Sequence, residues 1–242
     1  MSWLNHLLEL PRVPEPEVMD DSGEVEAYSS AAAQKYLDSI DDTFVEHAMR
    51  LLAPKISRQE GGNALDIGCG PGQIVLKLAQ RLPHWQFAGI DRSPNMIRQG
   101  RAARDESARR GRDDLSTRVQ FFLADGNALP FPDASIDFVS CNSVLHHLQE
   151  PARFFGEIAR VAKTDAAILL RDLARPFRLV YPIHVRWYGR HYSGLMYKLY
   201  CDSVRAAYTP EELAQILNRS PLKNVGIFRR GRTHLGFERF AQ

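Results

Sequence analysis

Five short apolar runs rich in branched side chains recur along the middle of the chain: "ALDI" (64–67), "QFAGID" (86–91), "VQFFLAD" (119–125), "IDFVSCN" (136–142) and "AILLRDL" (167–173). Between several of them, residues 74–81, 94–104 and 152–161 carry helix-like patterns. Strands that are apolar along both faces must be covered on both faces. Their alternation with helices predicts βαβ units around a parallel sheet. Two closing runs, "KNVGIFRR" (223–230) and "THLGFERF" (233–240), predict a terminal antiparallel strand pair. The expected fold is a doubly wound α/β sheet of seven strands, mostly parallel, with an antiparallel C-terminal strand and helices on both faces.

At 242 residues and 44 % hydrophobic content, the chain can bury one sizeable core. Four stretches are expected. Residues 1–60 form a proline-rich acidic lead and a helix that serves as a lid. Residues 61–173 form the core, and 174–208 a helical insertion over the pocket. Residues 209–242 supply a helix and the strand pair that completes the sheet. Leu37, Ile40, Phe44, Ala48 and Leu51 lie at helical spacing, so a helix is expected over about 31–52, broken from Pro54 to Gly62. Thr209, Pro210 and Glu212 mark another helix start by their N-cap, N1 and N3 chemistry.

A formal net charge of +2 is too near neutral to argue for a nucleic-acid or membrane partner. The arginine-rich stretch 98–113 reads as a solvated helix face, with RNA contact as the alternative. Three separated cysteines suit a reducing cytosol and provide no zinc framework. The N-terminus lacks the pattern of a signal peptide, and no apolar run reaches the length of a membrane span, so a cytoplasmic location is expected.

The turn after the first strand, "DIGCGPG" (66–72), concentrates three glycines. A strand, a glycine turn and a helix together expose backbone N–H groups and let a ligand lie close to the main chain. A dinucleotide fingerprint needs a third glycine where Gln73 or Val75 stands, so both registers fail. A phosphate-binding loop fails too, because no Gly-Lys-Ser/Thr follows.

The acid-first string Asp66-Ile-Gly68-Cys69-Gly70-Pro-Gly72 resembles the first motif of class I S-adenosylmethionine-dependent methyltransferases. "AGIDRSPNMI", "LADGNALPFPDASIDFV" and "LHHL" follow in order, and resemble the small-molecule subgroup that includes the ubiquinone and menaquinone enzymes. The resemblance spans about residues 62–173 and implies a Rossmann-like fold with S-adenosyl-L-methionine as methyl donor and S-adenosyl-L-homocysteine as product. It implies that Asp66 engages the donor's ammonium, Gly68, Cys69, Gly70 and Gly72 admit its tail and ribose, and Asp91 accepts from the ribose hydroxyls. Arg92 and Met96 would flank the adenine, Asp125, Gly126 and Asn127 contact it, and Asn142 closes the site at the fourth strand. Ile97 is expected in the core. Cys69 is expected to pack, and the cysteine spacing gives an arsenic-methylating reading little support. The family's usual proline–glycine–glycine turn before the fifth strand is replaced by "VAKTDAAILL", where Lys163, Thr164 and Asp165 are expected to turn.

Acceptor chemistry is less constrained. His146 or His147, after the fourth strand, are the candidate catalytic bases, and at most one should face the pocket. Asp172 ends the fifth strand nearby, and Tyr28 and Tyr36 are candidates to fold over the donor. The aromatic and cationic set Arg186, Trp187, Tyr188, Arg190, His191, Tyr192, Tyr197, Tyr200 and Arg205 either lines the acceptor pocket or packs as a helix pair, with a dimer contact as a further use. "NSVL" (142–145) lacks the two prolines and aromatic of base-methylating enzymes, which weighs against a nucleic-acid acceptor. The expected activity is methyl transfer to a small molecule. RNA methylation and a non-catalytic binding or assembly role are the alternatives.

Overall fold

The computed structural model describes residues 9–15 and 31–241. Its sheet is built from β1 (Gly62–Ile67), β2 (Trp85–Asp91), β3 (Val119–Leu123), β4 (Ile136–Asn142), β5 (Ala162–Leu173), β6 (Gly226–Arg230) and β7 (His234–Arg239). The order is β3-β2-β1-β4-β5-β7-β6, with β7 antiparallel to both neighbours and the other pairings parallel. The chain winds outward from β1 to β3, then returns to place β4 on the other side of β1. The carboxyl ends of β1 and β4 therefore flank the point where the strand order reverses, the place where open α/β sheets form a crevice.

Each face has its own apolar layer. On one, α1 (Ala31–Ser57), α2 (Gln73–Arg81) and α3 (Pro94–Arg109) bury Phe44, Leu51, Val75, Leu78 and Ile97. On the other, α5 (Pro151–Val161) and α8 (Pro210–Asn218) bury Phe154, Phe155, Ile158, Leu213 and Leu217. A short helix, α4 (Leu115–Arg118), precedes β3. The start of α8 has the expected capping box: Thr209 accepts from the Glu212 backbone N–H, and the Glu212 carboxylate accepts from that of Thr209. The segment after β5 contains α6 (Tyr181–Tyr188) and α7 (Gly194–Ala206).

Two local expectations are corrected. Pro54 does not break α1, which continues to Ser57. Pro54 stands in its last turn, where it forfeits a single hydrogen bond while Leu51 and Leu52 remain buried. The stretch Lys163–Asp165 is no turn but the extended start of β5, where the register to β4 shifts between Ile136 and Phe138. Ion pairs hold it there: Lys163 Nζ lies 2.9 Å from Asp137, and Lys55 Nζ lies 3.0 Å from Asp165.

Candidate active site

The carboxyl ends of β1, β2 and β4 open into a cleft of about 260 Å³, lined by Asp66, Gly68, Cys69, Gly70, Asp91, Arg92, Met96, Asp125, Gly126, Asn127, Asn142, His146 and His147. Of the residues expected to hold the donor or to act as base, only Gly72 is missing from this lining, and the acceptor-side candidate Asp172 lies outside it too. Gly72 is the left-handed N-cap of α2 at φ 84°. A Cβ there would come within 2.4 Å of the Phe121 ring, and one on Gly68 within 2.2 Å of Val144. Those two glycines are dictated by packing. Gly70 is different. At φ 52° its missing Cβ would meet nothing within 4 Å, so the chain leaves open space over its backbone. Ile97 packs in the core and stays out of the cleft, as expected, while its neighbour Met96 lines it.

Acids surround that space. Asp91 ends β2, accepting from the Gly70 backbone N–H at 2.9 Å and from that of Ser93 at 2.8 Å, which ties the glycine turn to the start of α3. Asp125 holds a tight turn by accepting from Asn127's backbone at 2.8 Å and its amide side chain at 3.1 Å. Asp66 is buried, with Ser140 Oγ donating to it at 2.6 Å. Burial pushes its pKa up to about 7 against that hydrogen bond, and Asp41 and Asp91 add to the rise. Asp41, on α1, lines the same cleft, and burial raises it to about 6 despite Lys77 and Arg171. Two carboxyls whose charge is so penalised favour a cation between them. Burial also pushes the Cys69 thiol well up, so it is a packed thiol and no nucleophile.

Behind the cleft, the buried Arg171 of β5 donates to Asn142 Oδ1 at 3.0 Å, to Thr43 Oγ1 at 2.8 Å and to the Ile40 carbonyl at 3.1 Å. Burial lowers its pKa to about 10. It fixes Asn142 and the cleft end of α1 together. Sequence reading missed Arg171, Asp41 and Glu15, since nothing local distinguishes them from other charged residues.

Beyond the end of β4, His146 and His147 sit in a single 3₁₀ turn, Leu145–His147, rather than on a longer helix. Asp172 accepts from His146 twice, from Nδ1 at 2.7 Å and from its backbone N–H at 3.0 Å. The Nε2 atom thus faces away from Asp172, 3.6 Å from Glu15. Burial alone would lower the His146 pKa, but the Asp172 carboxylate outweighs it and the net direction is up. Asp172 is lowered in turn, since the same pairing outweighs its burial. Burial raises Glu15. Glu15 and the two imidazoles bring three potential ligand atoms within 4.8 Å of one another. His146 Nε2 and His147 Nδ1 both lie 3.6 Å from the same Glu15 oxygen, and the two rings sit with centroids 4.2 Å apart and planes at 37°.

The segment bearing Glu15 is strapped down by Arg12. Its guanidinium donates to the carbonyls of Ala206, His146 and Leu148 and stacks 4.1 Å over Tyr208. From the aromatic insertion, Tyr188, Tyr192 and Tyr200 line the cleft with Met196, whereas Arg186, Trp187, Arg190 and His191 are exposed. Tyr197 and Arg205 are half-buried and outside the lining. Tyr28 and the side chain of Tyr36 lie outside the described residues.

Residues 65–170 match the model of a methyltransferase domain family. The chain is 29 % identical over 176 residues to a demethylmenaquinone methyltransferase of Roseiflexus castenholzii, covering 68 % of this chain and 69 % of that enzyme. It is 34 % identical over 119 residues to ajmaline N-methyltransferase of Rauvolfia serpentina, covering 46 % of this chain and 38 % of that one. Among solved structures, the plantazolicin methyltransferase BpumL in complex with SAH shares the fold at a TM-score of 0.60 and 14 % identity, over 90 % of this chain and 93 % of that one. Matched domain, strand order and the glycine turn between acids agree: residues 65–170 carry a methyltransferase domain, and the chain is similar to class I S-adenosylmethionine-dependent methyltransferases.

Proposed function

We propose that the chain methylates a hydroxylated aromatic small molecule, with the donor held over Gly70 and the acceptor between His146 and the tyrosines of α6 and α7. The observation that carries the reading is the pair of charge-starved carboxyls, Asp66 and Asp41, beside open backbone at Gly70. A ligand carrying an ammonium and a sulfonium relieves both acids. Asp91 and Asp125 are carboxylates at the tips of neighbouring strands that line the cleft, and suit ribose hydroxyls and an adenine amino group. Met96 and Arg92 suit the purine faces.

When bound, the sulfonium supplies an activated methyl group for in-line displacement. The protein's share is largely alignment, for which effective molarities of about 10⁵ M or more have been measured in model reactions. His146 is oriented by Asp172 to take a proton from an acceptor hydroxyl at Nε2, with Glu15 beside the resulting imidazolium. Tyr188, Tyr192, Tyr200 and Met196 offer flat, weakly polar walls that suit an aromatic ring. The segments 9–15 and 174–208 form the cover over this side, and 61–173 the donor-binding core. That a relative is a demethylmenaquinone methyltransferase supports the acceptor class.

The test is a panel of hydroxylated aromatics, the hydroquinone form of demethylmenaquinone among them, assayed with S-adenosylmethionine for S-adenosylhomocysteine formation. Turnover with a member of the panel that Asp91→Ala and His146→Gln both suppress is the expected result. Labelling of RNA with every small acceptor silent would overturn the reading.

A further inference from the structure

The insertion that supplies the tyrosines also carries a surface the cleft does not use. Ile183 and Trp187 stand one helical turn apart on α6, and Phe177 and Leu179 occupy the turn leading into it. All four lie in water, at 71 %, 63 %, 66 % and 72 % exposure. Scattered exposed apolar residues are ordinary, but large ones gathered on a single short element mark a contact surface. The other side of α6 is buried through His184 and Val185, so the helix is docked and its outward ridge is a finished face.

Charge identifies the partner. From residue 174 to 201 the chain contains no acid. Arg178, Arg186, Arg190 and Lys198 are all exposed there, although the whole protein is only +2. The Arg190 guanidinium lies 5.0 Å over the Trp187 ring, so cation and aromatic are held together on the ridge. A second copy of the chain pairing through this face would bring like charges against like across the symmetry axis. An anionic lipid surface satisfies both features, with apolar side chains in the headgroup boundary and cations on lipid phosphates.

We propose that α6 and the 177–180 turn dock the protein on an anionic membrane surface. The contact is peripheral, since no helix among the described residues is long and apolar enough to cross a membrane. Docking stands independently of the methyl-transfer reading. One consequence rests on that reading: Tyr188, next to Trp187, lines the cleft, so docking brings the acceptor wall to the lipid and suits an acceptor that partitions into it.

The experiment is sedimentation of the full chain with vesicles of phosphatidylcholine alone or mixed with phosphatidylglycerol, with Trp187 fluorescence read in parallel. Binding is expected only to the phosphatidylglycerol vesicles, with a blue shift in emission that Trp187→Phe abolishes. Ile183→Asp should reduce partitioning at least about tenfold. Arg186→Glu and Arg190→Glu should each cost about fivefold or more. S-adenosylhomocysteine affinity should stay unchanged in these variants, which separates lost docking from lost folding and from failure of the methyltransferase reading. Absence of binding to the anionic vesicles at low salt, or equal binding by Ile183→Asp, would overturn the proposal. So would a dimer that Ile183→Asp dissociates in a protein that ignores vesicles, because the ridge would then belong to a second copy.

Discussion

Asp66 and Asp41 are the residues where the cleft's electrostatics are most exposed to measurement. Their folded pKa values, about 7 and about 6, lie above the ordinary carboxyl value of 3.8. The folded state therefore holds protons that the unfolded state has released, and the ligand-free protein loses stability as pH rises through the window from about 4 to 7. A cationic ligand favours the ionised carboxylates, so S-adenosylmethionine should bind more tightly as pH rises toward 7 and should release protons on binding. Calorimetry in two buffers of different ionisation heat reads that release directly. Asp66→Asn should diminish it, weaken binding by about 1–3 kcal/mol and leave the ligand-free protein more stable above pH 7. Proton uptake on binding would contradict this account. For His146 the sign is separate. Its pKa is raised by Asp172, and only the neutral ring accepts a proton, so kcat/KM should climb with pH above the ordinary histidine value of 6.5. Asp172→Asn should move that limb to lower pH while kcat falls about 10²-fold or more. A limb that stays in place would show that another group is titrating.

At the scale of the element, the β1–turn–α2 unit separates two uses of glycine. Gly72→Ala puts a Cβ against Phe121 at a φ of 84°, so it should cost at least about 1–2 kcal/mol of stability, seen as a lower Tm. Gly70→Ala faces open space, so it should lower Tm less and S-adenosylmethionine affinity more. Equal effects of the two substitutions on both readouts would remove the distinction. This unit was legible in the sequence because its chemistry is local: an acid, a turn and a helix start stand within seven residues. The capped start of α8 was legible for the same reason. Pro54 and the 163–165 stretch were misread because tertiary contacts override local preference there, through the buried leucines of α1 and the Lys55 and Lys163 ion pairs. Glu15, Asp41 and Arg171 were invisible for a related reason. Each acquires its role only when residues far apart in the chain meet at the sheet's carboxyl edge.

Across the whole molecule, charge is divided between surfaces with different tasks. The arginine-rich α3 proves to be partly structural: Arg101 donates to the Phe121 carbonyl at 2.7 Å, and Arg104 to that of Val119 at 3.2 Å, both on the edge strand β3. Arg101→Ala should therefore lower stability by about 0.5–1.5 kcal/mol, read by denaturant titration, with S-adenosylmethionine affinity unchanged. The sheet's reversal between β1 and β4 sets the cleft, and the insertion after β5 both lines part of it and carries the outward ridge. The central claim is that the donor lies at this reversal, its amino-acid part above Gly70 and its nucleoside between Asp91 and Asp125. A crystal structure with S-adenosylhomocysteine tests it most directly. The account predicts ribose density within hydrogen-bonding distance of the Asp91 carboxylate and the ligand's ammonium near Asp66. Ligand density elsewhere, or a glycine turn closed against the ligand, would contradict it.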